Sequence, residues 1–158
     1  SFETSVKALS VFSGVKRRFQ TKMKEHGVWI VDDYAHHPDE IRATLSTAKH
    51  YPHNKLWVVF QPHTYSRTKA LLPEFADALK EADAVVLADI YAAREKNTLG
   101  ISSKDVMDEI KKDGGTAYYF PTFSEIENFL LENCAHNDLL ITMGAGDVVK
   151  IGEHLLGK

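Results

Sequence analysis

Short, uninterrupted runs of apolar residues recur along this chain, and a stretch with helical periodicity follows most of them. The runs lie at 28–31, 56–60, 84–88, 117–120 and 139–143. A run of this length is typical of a strand buried on both faces, as in parallel sheets covered by helices. Strand and helix therefore alternate five times, which predicts one Rossmann-like α/β domain of three layers. We expect a mostly parallel sheet of about six strands with helices on both faces.

An antiparallel edge strand is predicted before the first run. Phe19, Thr21 and Met23 alternate with polar residues, and Gly27 follows in a turn, as in a hairpin. Upstream of this strand, a short helix is predicted over 3–12, ended by Gly14.

The remaining helices are predicted from apolar spacing and from capping signals. Ser102 with Asp105, and Ser124 with Glu127, have the spacing of capping boxes that open helices. Pro73 is expected in the first turn of its helix, where proline is tolerated. The other predicted helices span 39–50, 69–82 and the segment from Gly146 to Leu156.

Composition excludes several classes of protein. The chain has 158 residues and a net charge of -3, which gives no electrostatic case for binding nucleic acid or an anionic membrane. No apolar run approaches the ~20 residues of a membrane-spanning helix, and the N-terminus does not resemble a signal peptide. The single cysteine, Cys134, cannot form an internal disulfide, which fits a reducing cytoplasm. The chain begins at Ser1 rather than Met, which is consistent with a piece of a longer protein.

Polar side chains follow four of the predicted strands. Because parallel strands end at the same edge of a sheet, we expect these groups to share one ligand site, although polar turns also occur wherever loops meet water. The groups are 33–37, 61–67, 89–91 and 144–147.

Single residues in these groups allow more than one interpretation. His36 and His37 could bind a metal together with Asp33 and His63, or one histidine could cap a helix while the other reaches a ligand. Arg67 could hold a carboxylate or phosphate through its guanidinium, or it could pair with a surface glutamate, Glu74.

Backbone and basic residues add two candidate anion contacts. Gly144-Ala145-Gly146 opens a helix and could let backbone approach an anion. The basic run 16–18 could contact nucleotide phosphate or simply form a solvated edge. The chain contains no Gly-x-x-x-x-Gly-Lys-Ser/Thr loop, so it cannot hold a triphosphate in the P-loop manner, and no Gly-x-Ser-x-Gly elbow. These residues therefore form half of an active site.

Five segments, taken together and in this order, resemble the C-terminal domain of the Mur ligase family. The resemblance extends over nearly the whole chain and implies that residues 1–158 form one such domain. The segments are Gly14–Phe19, Asp33–Pro38, Phe60–Thr68, Asp89–Glu95 and Met143–Asp147.

The resemblance implies a partner and a reaction. Family members join this domain to an N-terminal domain that binds a UDP-sugar and to a central P-loop ATPase domain, both absent from this chain. The resemblance implies that the intact protein adds L-alanine to UDP-N-acetylmuramate in peptidoglycan precursor synthesis, through an acyl phosphate. ATP and Mg²⁺ would be held mainly by the central domain, and no cofactor would be held tightly by this chain alone.

The resemblance also implies roles for individual residues. Arg18 would contact the ATP phosphates, Asp33 the ribose, and Tyr34 the nucleotide or the amino acid. His36, His63 and Arg67 would face L-alanine and the acyl phosphate, with His63 and Arg67 as the catalytic pair and no metal ligands on this chain. Some relatives carry arginine at the position of Thr64, so one contact to the amino acid would be replaced or missing here. The loop 94–100 is predicted to be mobile.

Two other functions remain open at this stage. A stand-alone flavodoxin-like module that binds a nucleotide or regulates a partner would use the same topology. A metal-dependent hydrolase would use Asp33 and the three histidines named above.

Overall fold

The computed structural model describes residues 2–10, 15–25 and 27–158, without the side chains at 2, 8, 9 and 22–25. The described strands are β1 (Gln20–Glu25), β2 (Val28–Asp33), β3 (Leu56–Phe60), β4 (Ala84–Leu87), β5 (Ala117–Tyr119) and β6 (Leu139–Met143). The described helices are α1 (Phe2–Ser10), α2 (Pro38–Ala48), α3 (Tyr65–Ala70), α4 (Leu72–Leu79), α5 (Ser103–Lys112), α6 (Phe123–Asn133) and α7 (Val149–Leu155). No helix in these ranges combines the length and the apolar character needed to cross a membrane.

The six described strands form one sheet in the order β1-β2-β6-β3-β4-β5. β1 runs antiparallel to β2, and every other neighbouring pair is parallel. The predicted Rossmann-like domain, with its antiparallel edge strand and helices on both faces, is confirmed.

Two apolar cores cover the two faces of the sheet. Side chains of a strand alternate between the faces, so Val58 and Phe60 of β3 enter the core formed with α2, α4 and α5. Trp57 and Val59 enter the second core, which α6 and α7 complete. All five residues of β3 are buried, which explains why this strand is a continuous apolar run.

The prediction of one continuous helix over 69–82 is wrong, because two helices occupy this region. α3 begins at Tyr65, and the chain breaks at Leu71 (φ -117°, ψ 24°) before α4. Pro73 lacks an N–H and so cannot donate to the carbonyl of residue 69, which makes a continuous helix unfavourable. Pro73 instead lies in the first turn of α4, and the predicted apolar stripe at Phe75 and Leu79 is buried.

The start of α6 is also corrected. The structure caps this helix with Thr122, whose Oγ1 accepts from the N–H of Glu125 at 3.3 Å, while Glu125 accepts from the N–H of Thr122 at 3.1 Å. Ser124 and Glu127 have the same spacing, and the sequence pattern could not choose between the two registers. The capping box of Ser102 and Asp105 is confirmed.

At the N-terminus, the predicted helix over 3–12 is found as α1, Phe2–Ser10. Its predicted stop, Gly14, lies outside the described residues.

Candidate functional site

The carboxyl ends of four neighbouring strands are level with one another. In the registers of the sheet, Asp33 of β2 pairs with Met143 of β6, Met143 with Phe60 of β3, and Phe60 with Leu87 of β4. The four polar groups predicted to share one edge therefore begin side by side. Further contacts join them: Tyr91 forms a parallel bridge with His63, and its N–H donates to the carbonyl of Pro62 at 2.8 Å.

Arg17 ties three segments together at this edge. Its Nε lies 2.9 Å from Oδ2 of Asp32, a carboxylate that is 1% exposed and also accepts from the hydroxyl of Thr142 at 2.8 Å. The guanidinium also donates to the carbonyls of Gly144 (2.8 Å) and Gly146 (3.1 Å). A buried charge needs such pairing, since an isolated carboxylate in this position would be strongly unfavourable.

Two carbonyls of the loop at 144–146 are therefore occupied by a cation, and anion binding by this loop stays a prediction. Carbonyl oxygens, rather than N–H groups, point from Gly144 and Gly146 toward the Arg17 cation. Gln61 holds the rest of the loop, because its amide donates to Asp147 at 3.1 Å and accepts from the N–H of Val148 at 3.2 Å. The glycines permit close packing: a Cβ at Gly146 would lie 2.4 Å from Oε1 of Gln61.

Asp33 binds the backbone of the turn that carries Arg18. Asp33 is 5% exposed, and its two carboxylate oxygens accept from the N–H groups of Phe19 (2.6 Å) and Ala35 (2.8 Å). A ribose hydroxyl would have to use a remaining lone pair on one of these oxygens. The side chain of Arg18 is 56% exposed and lies 3.9 Å from Glu40, so its guanidinium is available to a ligand.

Four aromatic side chains form a row along the edge of the sheet. We call Tyr34, His36, His63 and Tyr91 the aromatic row. Neighbouring ring centroids are 5.5 Å apart for Tyr34 and His36, 6.0 Å for His36 and His63, and 5.7 Å for His63 and Tyr91. Arg17 lies over the ring of Tyr34 at 4.9 Å, so the row connects the turn at Arg17 and Arg18 with the residues around His63.

His63 and Arg67 each bury a nitrogen atom that has no partner. Among the described residues, Nδ1 of His63 and Nη1 of Arg67 make no hydrogen bond, and Arg67 forms no ion pair with Glu74. Burial, the Arg67 guanidinium and His36 together lower the pKa of His63 below its ordinary value of 6.5, against an opposing effect of Glu95. Buried polar atoms are nearly always paired in folded proteins, so these two atoms indicate a place where a polar ligand would bind.

Thr64 lies between this pair in a strained conformation. Its φ of 68° and ψ of 145° belong to a region that glycine adopts readily and that a β-branched residue seldom does. The conformation is held because the N–H of Thr64 donates to the carbonyl of Tyr91 at 2.9 Å and its carbonyl accepts from the hydroxyl of Thr68 at 2.7 Å.

Glu95 completes the start of α3. Its carboxylate accepts from the N–H of Ser66 at 2.9 Å and from the hydroxyl of the same residue, and these bonds lower the pKa of Glu95. The loop 94–100 is thus attached to α3, also through a bond from Lys69 to the carbonyl of Leu99 at 3.0 Å. The mobility of this loop stays a prediction.

The two adjacent histidines have different neighbours. His37 caps α2 by accepting from the N–H of Asp39 at 3.3 Å, whereas His36 belongs to the aromatic row. Within the described part of the chain, no three histidine, cysteine or acidic residues come together as a metal site. Asp33, His36, His37 and His63 all lie in the described part of the chain and do not form such a group.

Sequence reasoning missed the roles of Arg17, Gln61 and Glu95. The resemblance implies a contact for Arg18 alone, and nothing in the pattern of the basic run shows which arginine turns inward. The only available signal for Arg17 was an extra acidic residue, Asp32, at the end of a strand that is otherwise apolar.

Comparison with known proteins gives one consistent result. The family model described as Mur ligase, glutamate ligase domain, matches residues 17–146. UDP-N-acetylmuramate–L-alanine ligases of Agathobacter rectalis and Lachnospira eligens are 64% and 65% identical over 99% and 94% of this chain. The chain covers 34% and 32% of those two proteins, about one third of their length.

A solved structure of a ligase with the same description is also similar to this chain. The UDP-N-acetylmuramate-alanine ligase MurC of Thermotoga maritima superposes with a TM-score of 0.77 and 32% identity. The superposition covers 96% of this chain and 31% of that one.

Proposed function

The chain belongs to the Mur ligase family, and we propose that residues 1–158 form the C-terminal domain of an ATP-dependent ligase that joins L-alanine to UDP-N-acetylmuramate in peptidoglycan precursor synthesis. Two features support this proposal: the high identity to ligases of that description, and the cluster of cationic and aromatic side chains at one edge of the sheet. Within that cluster the buried nitrogens of His63 and Arg67 carry the most weight, because neither has a hydrogen-bond partner among the described residues and both can bind a polar ligand. Its partners would be the upstream domains of the same polypeptide, in the cytoplasm.

The proposed reaction has two steps. A carboxylate oxygen of UDP-N-acetylmuramate attacks the γ-phosphorus of ATP, which releases ADP and leaves an acyl phosphate. The amine of L-alanine then attacks the acyl carbon, a proton is lost from nitrogen, and inorganic phosphate leaves as the amide forms. The second step needs the amine to be held against the acyl phosphate while water is excluded.

On the nucleotide side, the exposed guanidinium of Arg18 would contact the phosphates of ATP. Tyr34 is 36% exposed at the end of the aromatic row, where it could lie against the nucleotide or the amino acid. Asp33 would reach the ribose through one remaining lone pair. The described residues provide no cluster of metal ligands of their own, so Mg²⁺ would be held by the upstream domains.

On the amino-acid side, His36, His63 and Arg67 would surround L-alanine. The Nη1 of Arg67 would pair with an oxygen of the alanine carboxylate or of the acyl phosphate, and the charge that develops in the tetrahedral state strengthens this contact. His63 has a lowered pKa and is therefore neutral near pH 7, which keeps it from repelling the cationic Arg67. Because Thr64 stands where some relatives carry arginine, the contact with the amino acid would depend more heavily on His63 and Arg67.

Steady-state kinetics of the intact enzyme test this division of roles. Arg67→Lys and His63→Asn should raise KM for L-alanine by about tenfold or more and leave KM for ATP nearly unchanged, whereas Arg18→Lys should do the reverse. Arg42→Lys is the matched control, because Arg42 is bound to Asp39 and Asp77 on the outer face of α2. Equal effects of all variants on both KM values would contradict the two-sided site.

A further inference from the structure

Two adjacent arginines at the edge of the sheet point in different directions. The side chain of Arg17 is 22% exposed and turned into the protein, whereas that of Arg18 is 56% exposed. Of these two arginines, only Arg18 has a proposed contact with substrate.

Arg18 lies between two residues with left-handed backbone conformations. Arg17 has φ 57° and Phe19 has φ 45°, values that cost free energy in residues with a Cβ. Each is fixed by one of two adjacent carboxylates at the end of β2. Asp32 binds the guanidinium of Arg17, and Asp33 accepts from the N–H of Phe19.

Further bonds keep the turn at Arg17 against the sheet. The carbonyl of Arg17 accepts from the N–H of Tyr34 at 2.7 Å, and its own N–H donates to Gln20 at 3.1 Å. The guanidinium reaches Asp32, Gly144 and Gly146 at the same time. Only the planar, multiply donating fork of arginine can make these three contacts together, and a lysine ammonium is a single point charge on a flexible stem.

We propose that Arg17 is a positioning residue: with Asp32, it locks the turn that presents Arg18 to the phosphates of the nucleotide. The proposal rests on the proposed function, in which Arg18 contacts ATP. Arg17 itself does not touch substrate. Its guanidinium binds a buried carboxylate and two carbonyls. It affects nucleotide binding because it fixes the backbone that positions Arg18.

The test uses the intact enzyme that contains this chain. In Arg17→Lys the pair with Asp32 can survive, but the two glycine carbonyls lose a donor and the turn loosens. We expect KM for ATP to rise about tenfold, roughly the effect of one charge-assisted hydrogen bond, with KM for L-alanine unchanged. Arg42→Lys again controls for the loss of a guanidinium at a position outside the site.

A double-mutant cycle separates positioning from general stability. If Arg17 acts through Arg18, then Arg17→Lys should raise KM for ATP in the wild type but have no further effect in Arg18→Ala. Additive effects, or a fall in kcat with both KM values unchanged, would overturn the proposal, because a purely structural role lowers the folded fraction in either background. Asp32→Asn, which removes the charge that holds Arg17, should reproduce the pattern and serves if Arg17→Lys does not fold.

The failure of this proposal can be told apart from failure of the proposed function. A wild-type enzyme that forms no alanine amide with ATP contradicts the function. An active wild type whose KM for ATP rises in Arg18→Ala but not in Arg17→Lys contradicts only the positioning role.

Discussion

Replacing Thr64 by glycine should stabilise the chain, although glycine usually destabilises. A side chain in this backbone region costs on the order of 1–3 kcal/mol, and glycine avoids that cost. Glycine loses about 0.5–1 kcal/mol more conformational entropy on folding. The hydroxyl of Thr64 makes no capping hydrogen bond in α3, so little else is lost. The net gain is about 1 kcal/mol, or roughly 3 °C in Tm for a chain of this size.

The assay is urea unfolding of the 158-residue chain, with Thr64→Ala as the matched variant. Alanine removes the same side-chain atoms beyond Cβ but keeps the backbone strain, so Thr64→Gly should be about 1 kcal/mol more stable than Thr64→Ala. A glycine variant that is no more stable than the alanine variant would refute the assignment of strain to this residue.

Three further outcomes are expected from the same chain. Because the pKa of His63 is lowered below 6.5, the folded state binds fewer protons than the unfolded state, so stability falls as the pH drops from 6.5 through the folded pKa. His63→Gln should flatten that part of the pH profile of unfolding free energy, and an unchanged slope would contradict it. Thr122→Ala should lower the free energy of unfolding in urea by about 1 kcal/mol, and Ser124→Ala should lower it by under about 0.5 kcal/mol. The opposite ranking would show that Ser124 is the cap, as the sequence predicts. Gly146→Ala should lower the free energy of unfolding by about 1–3 kcal/mol, because its Cβ would overlap Gln61. An unfolding midpoint in urea equal to that of the wild type would show that the loop can move to make room.

The sequence predicted the sheet well because each strand is buried on both faces, and such burial leaves a continuous apolar run. Residues 56–60 and 139–143 illustrate this, since both strands are buried throughout. The helix boundaries were less predictable. α3 is short and largely polar, so no apolar stripe marks it, and Thr122 and Ser124 offer equivalent capping patterns.

The candidate site was predictable at the level of segments and not of atoms. Parallel strands end together, so the four polar groups had to meet. Which arginine would turn inward depends on the left-handed turn at 17–19 and on the buried carboxylate of Asp32, and neither is visible in a linear pattern. The strained backbone of Thr64 is likewise held by contacts that a linear pattern does not show. Tyr91 is distant in sequence, and the contact with Thr68 forms only once α3 has formed.

The most direct test of the central claim is reconstitution with the missing domains. The chain is fused to the two upstream domains of the ligase, and ATP, Mg²⁺, UDP-N-acetylmuramate and L-alanine are supplied while the amide product and ADP are measured. We predict product only when this chain is present, with a loss of at least about a hundredfold in kcat/KM for L-alanine in Arg67→Ala. A correctly folded fusion that forms no amide would contradict the ligase function and favour a stand-alone module that binds a nucleotide or regulates a partner.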